Sequence, residues 1–325
     1  MRMDSAEIRS SNIELLRLLG MLFIMFGHSH LRLHPMSNFF DVLLSCITTT
    51  GVGIFIAISG WFGIHFRMQG LAKYLYQVFF TLWITYVLAI SFGVTEINMA
   101  GIMISLTFYD GYWFIMGYLG LYLISPILNA FIEHSSKREY QIVLLSFFLF
   151  QSYYSWISAW YDYYNGYCII LFGGIYLTAA YVRRYPVEWI QQKSTILLVG
   201  TFLLMSIIAY FSLLRFGHAA RQVRDDNPLA IFVSILMVLC FSKFKFQNKF
   251  INWLAASCFA VYLIHYSPFV YPYLMRCMYH IYFQFDGLLY GLMLITALIV
   301  IYVVCTLFDQ LRIITWSFMQ KIMSR

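Results

Sequence analysis

Residues 17–28 read RLLGMLFIMFGH: an arginine, ten residues with no polar side chain, and a histidine. The run sits inside a longer apolar stretch, about 13–33, long enough to cross a bilayer as one helix. An α-helix turns about 100° and rises about 1.5 Å per residue, so eleven steps bring a side chain back to within roughly 20° of its start, about 16 Å further along the axis. Arg17 and His28 therefore share one face of one membrane helix, the cation near one end and the imidazole much deeper. Ionisable groups at such depth are costly and usually face a protein interior or a water-filled cavity.

Outward from this stretch, the 325 residues are 62% hydrophobic and only 11% charged, far from the soluble average. That surplus excludes an ordinary soluble core and predicts an all-α, polytopic membrane protein. Runs of about 20 apolar residues recur along the chain. We read ten spans, about 13–33, 39–62, 71–94, 112–133, 139–158, 166–182, 195–215, 228–243, 252–275 and 286–308. With the N-terminus placed in the cytoplasm, sixteen of the 21 Lys and Arg fall on the cytoplasmic side. Five fall outside: Arg32, Arg215, Arg221, Arg224 and Arg276. This asymmetry follows the positive-inside rule and puts both termini in the cytoplasm. The stretch MRMDSAEIRSSNIE (1–14) is polar, carries both charge signs and leads directly into span 1, so no cleavable signal is expected. The apolar segment 97–108 is too short to span and is expected at the interface or re-entrant. The reading is one transmembrane domain over 1–325, with short cytoplasmic tails at about 1–12 and 309–325 and no soluble module.

The net charge of +7 does not indicate nucleic acid, because the basic residues are scattered at span ends. The six cysteines show neither CxxC pairing nor framework spacing, so neither zinc nor disulfides are indicated.

Three places could carry chemistry. Span 1 offers Arg17 and His28, with Glu14 three residues before Arg17 and able to pair with it. The alternatives are an arginine that snorkels to the headgroups and a histidine bonded to a neighbouring helix. Span 2, TTTGVGIFIAISGWFG (48–63), has an unusually small-sided surface that serves either close helix packing or a groove for a thin ligand. Span 9, CFAVYLIHYSPFV (258–270), also enters from the cytoplasm, so His265 reaches a depth like that of His28. The two histidines and Asp41 could converge: a neutral histidine suits a general base, and a carboxylate would orient it. Arg215, Arg221 and Arg224 cluster near the fourth outer loop, beside Asp225 and Asp226. They form either a self-neutralised loop or a landing site for an anionic acceptor. The aromatic run 151–167 reads as an interfacial belt.

Taken together, R-x10-H in span 1, GVGIFIAISGWF in span 2, YWFIMGYLGLYLISPIL (112–128) in span 4 and CFAVYLIH in span 9 resemble the acyltransferase-3 family of integral-membrane O-acyltransferases. The resemblance covers about residues 12–310. It implies a ten-helix, mostly bacterial cell-membrane protein that takes an acyl group, usually acetyl, from cytoplasmic acyl-CoA. The group goes to a hydroxyl of a cell-envelope glycan or a lipid-linked sugar. The resemblance gives Arg17 and His28 the family's essential pair, Ser59 and Gly60 its SG of the second helix, and His265 its YLIH histidine. The family's R/K-x-x-R motif after span 2 is replaced here by FRMQGLAKYLYQ (66–77), which offers Arg67 and Lys73 at a different spacing. The resulting expectation has Arg17, with Lys73 or Arg67, holding the CoA phosphates beside the small face of span 2. His28 acts as base or acyl carrier, and Asp41 or His265 orients it. Acyl-CoA is a donor substrate, with no resident cofactor and no metal. The rival class is a transporter or flippase, since ten spans with intramembrane histidines also suit a carrier.

Overall fold

The computed structural model describes residues 10–34, 36–106, 112–154, 169–219 and 223–323, and every regular element among them is helical. In chain order these are α1 Ser11–Leu33, α2 Phe39–Phe62, α3 Met68–Ser91, α4 Met99–Leu106, α5 Trp113–His134, α6 Lys137–Ser152 and α7 Ile169–Arg184. Then follow α8 Glu188–Gln192, α9 Ser194–Phe216, α10 Pro228–Ser242, α11 Lys249–Ala256, α12 Cys258–His265, α13 Tyr271–Gln284 and α14 Gly287–Met323. Five of them (α2, α3, α5, α9 and α14) are long and apolar enough to cross a membrane. They expose large apolar side chains such as Ile196, Phe211, Leu288 and Val304, a surface suited to lipid rather than water. The protein is a multi-pass membrane protein whose described regular elements are all helices.

Local chemistry sets the boundaries. The Asn38 side chain accepts from the Asp41 N–H at 3.1 Å and caps the start of α2. Gly63 ends it at φ 82°, a left-handed conformation that a side chain disfavours. Asn227 caps α10 and is followed by Pro228, whose missing N–H costs nothing in a first turn. Ser136 and Glu139 form a reciprocal capping box at the start of α6.

Helix α1 runs between two apolar cores. Its Leu18, Met21 and Met25 pack with residues of α3, α12 and α14, while Ile13 and Leu16 pack with α2, α5, α7 and α10. The small side chains of α2 let its neighbours approach closely. A Cβ at Gly51 would collide with Ile24 of α1, and one at Gly60 would run into the backbone of Tyr176 in α7.

The structure departs from the expected spans in two places. Residues 252–275 are not one helix: the chain turns at Ser257, again over 266–270 around Pro268, and forms three pieces, α11, α12 and α13. Proline supplies no N–H and pushes the residue before it out of helical conformation, which accounts for the second break. The last span does not stop at 308. Helix α14 continues to Met323, because Asp309 and Arg312 neutralise each other one turn apart on a buried face, at 2.5 and 2.9 Å. In the described part of the segment 97–108 lies the short α4, whose eight residues reach about 12 Å. Most of the aromatic run 151–167 lies outside the described residues.

Candidate active site

Arg17, His28 and Ser59 line one cavity of about 270 Å³. Its volume falls just below the roughly 300–1,000 Å³ of ordinary small-molecule pockets. Helix α1 contributes Arg17, Met21, Ile24 and His28, the recurring face anticipated from the 11-residue spacing. Helix α2 contributes Val52, Phe55 and Ser59. Tyr74 of α3, the aromatic run Trp113, Phe114 and Tyr118 of α5, and Phe259 and Tyr262 of α12 complete the walls. The break between α11 and α12 also opens here, through Ala255, Ala256 and Cys258.

Arg17 is held by Glu14 at 2.7 Å, the carboxylate buried and the guanidinium one-third exposed. The pairing keeps the cation against the protein, at the cavity, rather than free to snorkel away. The Ser59 hydroxyl donates to the Phe55 carbonyl at 2.9 Å and lies 3.3 Å from the Tyr118 hydroxyl.

His28 and His265 meet at 3.0 Å, Nδ1 of the first to Nε2 of the second. The other ring nitrogen of His265, Nδ1, lies 2.7 Å from the Val261 carbonyl one turn back. A carbonyl can only accept, so Nδ1 of His265 carries the hydrogen and its Nε2 presents a lone pair in the neutral ring. The facing Nδ1 of His28 must then be the donor, which leaves the lone pair of His28 on Nε2. A partner that fixes a histidine's tautomer in this way selects which nitrogen is available for chemistry. Tyr266 stacks on the His28 ring at 4.4 Å, and the Tyr271 hydroxyl donates to the His28 carbonyl at 2.7 Å, so ring and backbone are both held.

The remaining expected residues lie elsewhere. Asp41 does not line the cavity; its carboxylate accepts from the Ser37 N–H (3.0 Å), the Ser37 hydroxyl (2.8 Å) and the Asn38 amide (2.9 Å). It is a helix-start residue, and the structure does not bring it to the histidine pair. Gly60 serves the α2–α7 contact. Arg67, just before α3, and Lys73, in its second turn, are exposed at the end from which Tyr74 reaches the cavity. Arg215 is exposed at the end of α9. Arg221 lies outside the described residues. Arg224 pairs with buried Asp226 at 2.5 Å. Asp225, half-buried beside it, has its carboxyl pushed up to about 7, by loss of solvent first and by the neighbouring Asp226 second. The described part of this loop thus largely cancels its own charge.

Sequence reasoning missed the aromatic lining. YWFIMGYLG held the signal, with Phe114 and Tyr118 one turn apart on one face of α5. A family model described as "Acyltransferase domain" matches residues 10–309. The chain belongs to the acyltransferase-3 family. No curated protein and no solved structure matches it. The protein is therefore a membrane acyltransferase, and the cavity between Arg17 and His28 is where its matched segments from α1, α2, α5 and α12 converge.

Proposed function

We propose that this acyltransferase moves an acyl group from cytoplasmic acyl-CoA to a hydroxyl of a cell-envelope glycan or lipid-linked sugar. The observation that carries the reading is the cavity itself: a cation and an imidazole at opposite ends of one apolar, aromatic-walled space. Arg17 binds a phosphate of the donor by a charge-assisted contact. The thin thioester arm lies along α2, where Ser59 leaves room. The thioester carbonyl then comes to His28.

In the reaction, Nε2 of His28 takes the proton of the acceptor hydroxyl as its oxygen attacks the thioester carbonyl. The new C–O bond forms, the C–S bond breaks with its electron pair leaving on sulfur, and the proton passes to that thiolate. Ester and free CoA thiol are the products, and His28 returns to neutral. His265 stabilises the tautomer that this step needs. A covalent acyl-His28 intermediate would use the same nitrogen.

The lysine and arginine asymmetry supports ten spans with both termini in the cytoplasm of a bacterial cell membrane. Reporter fusions at Arg138 and Arg325 should read cytoplasmic and one at Asp226 outside. The chemistry is tested by mass spectrometry of surface polysaccharide from cells with and without the protein. Loss of an increment of about 42 Da per acetyl group supports the reading. An unchanged glycan mass together with lost glycan export would favour the carrier.

A further inference from the structure

One turn beyond His28, near the end of α1, stands a second arginine, Arg32. Four residues turn a helix by about 400° and advance it by about 6 Å, so Arg32 shares the His28 face. Along the helix axis the base thus lies between two cations, Arg17 before it and Arg32 after it. The Arg32 side chain is exposed. Its guanidinium donates to the Tyr266 hydroxyl at 3.3 Å and lies over the Tyr271 ring at 5.6 Å. These are the two tyrosines that hold the base, Tyr266 by stacking on the His28 ring and Tyr271 by donating to the His28 carbonyl. Their own rings meet at 5.1 Å. Arg32 and His28 are therefore fixed relative to each other through one pair of rings.

The charge of Arg32 is not matched within the protein as that of other arginines is. Arg17, Arg224 and Arg312 each pair with a carboxylate, and Arg183 and Arg184 donate to backbone carbonyls. Among the described residues no carboxylate pairs with Arg32. A guanidinium carries five N–H donors, and one bond to a phenol leaves it able to grip a carboxylate or phosphate by two parallel bonds. The Tyr271 ring against it favours the charged group and restrains it.

We propose that Arg32 anchors the acceptor by binding a carboxylate or phosphate on the sugar that is acylated or on its immediate neighbour. The proposal rests on the acyl-transfer reading and the topology above, in which α1 ends at the outer face and the acceptor arrives there. Arg32 lies about 6 Å further along the helix than His28, so the anion must sit within about one sugar unit of the reacting hydroxyl. The two arginines then divide recognition: Arg17 takes the donor's phosphate on the inner side, and Arg32 takes the acceptor's charge on the outer side.

The test uses purified full-length protein in nanodiscs with acetyl-CoA, and release of CoA thiol gives the rate. The acceptor is envelope glycan, with its lipid-linked precursors, extracted from cells lacking the protein. It is supplied untreated, after carbodiimide–borohydride reduction of its carboxyl groups, and after removal of its phosphates with cold hydrofluoric acid. For wild type, one of the two treatments should raise the acceptor KM at least about tenfold, the low end for a lost charge-assisted contact, and so identify the anion. Arg32→Gln should raise the KM for untreated acceptor by a similar factor and no longer distinguish it from the treated forms, with kcat within about threefold. Arg32→Lys keeps the charge without the planar fork and should fall between. A wild-type KM unchanged by both treatments, or an Arg32→Gln protein with unchanged KM or a loss confined to kcat, would overturn the anchor and leave acyl transfer standing. No CoA release by wild type with untreated acceptor would overturn the acyl-transfer reading and the anchor with it.

Discussion

Two arginine-bearing cavities lie at the end of the bundle where α1 begins, and their arginines are held in opposite ways, one by a carboxylate and the others by helix-end carbonyls. The first contains Arg17 and is approached by helix starts: α1 itself, α3 with Arg67 just before it and Lys73 in its second turn, and α12 at its break. The second, about 380 Å³, contains Arg183 and Arg184 and is built from helix ends: Gly60–Gly63 closing α2, Asn129 and Glu133 closing α5, and the last turn of α7. Helix starts carry partial positive charge and helix ends partial negative charge. Arg183 donates to the Trp61 carbonyl, and Arg184 to those of Ile132 and Glu133, so these cations finish the ends of α2 and α5. Arg17 instead finishes no helix end; it is paired with one buried carboxylate, Glu14, at the rim of an apolar, aromatic-walled cavity. An arginine so placed is suited to a bound anion. On the proposed reading the smaller cavity is the functional one and the larger one structural, a distinction that volume alone would invert.

The largest expected effect tests whether chemistry belongs to the first cavity only. His28→Ala should lower acyl transfer by about 10²–10⁴, the usual worth of a positioned base. His28→Gln should be as inactive, because an amide takes up no proton near neutral pH. His65, which lines the second cavity, should tolerate Gln with unchanged turnover. Initial rates of the folded variants decide it: near-normal turnover by His28→Gln returns His28 to a packing role.

A smaller effect is expected one residue behind the base. The orienting partner of a catalytic imidazole is worth up to about 10⁴ in rate when it is a carboxylate. A neutral histidine that supplies only tautomer and orientation should be worth about 10² in kcat. His265→Leu should show that loss with KM for acyl-CoA unchanged. His265→Gln can still accept from Nδ1 of His28, so it should recover most of the rate and keep the wild-type pH profile. Equal loss in both variants would mean that His265 only fills space.

Next comes the donor anchor. Arg17→Ala should weaken acyl-CoA binding roughly ten- to a hundredfold, since a hydrogen bond to a charged group is worth about 1.5–3 kcal/mol. Isothermal titration of the purified variant checks this, and unchanged affinity would reduce Arg17 to an interfacial residue.

The two cavities also differ in how far the sequence discloses them. The face shared by Arg17 and His28 is a property of one helix, so periodicity alone finds it. Helices α1 and α2 begin and end close to where their apolar runs predict. His265 is legible only as a histidine at matching depth, because contact between α1 and α12 depends on how separate helices pack. Asp41 illustrates the opposite error. Its depth suggested a partner for His28, yet SNFFD (37–41) already held a cap, with Asn38 three residues before Asp41. The break at Ser257 is a single residue in an apolar run and leaves no mark on hydropathy. The aromatic lining is hidden because one residue in five is aromatic throughout the chain, 20% in all. Nor does any local pattern distinguish the arginines that finish helix ends from the one beside helix starts, since the difference lies in which ends converge.

The smallest effect concerns the second cavity and can reverse the comparison. If Arg183 and Arg184 only satisfy the carbonyls ending α2 and α5, replacing either with Ala should cost about 0.3–1 kcal/mol of stability, typical for a cation at a helix end. Arg183→Lys keeps the charge and should recover much of that loss, because the dipole term needs no planar fork. Acyl-CoA affinity and turnover should stay at wild-type values in all three variants. Thermal unfolding in detergent and acyl-CoA titration on the same preparations separate the outcomes. Should Arg183→Ala weaken acyl-CoA binding as much as Arg17→Ala does, the donor phosphates would lie over the helix ends after all.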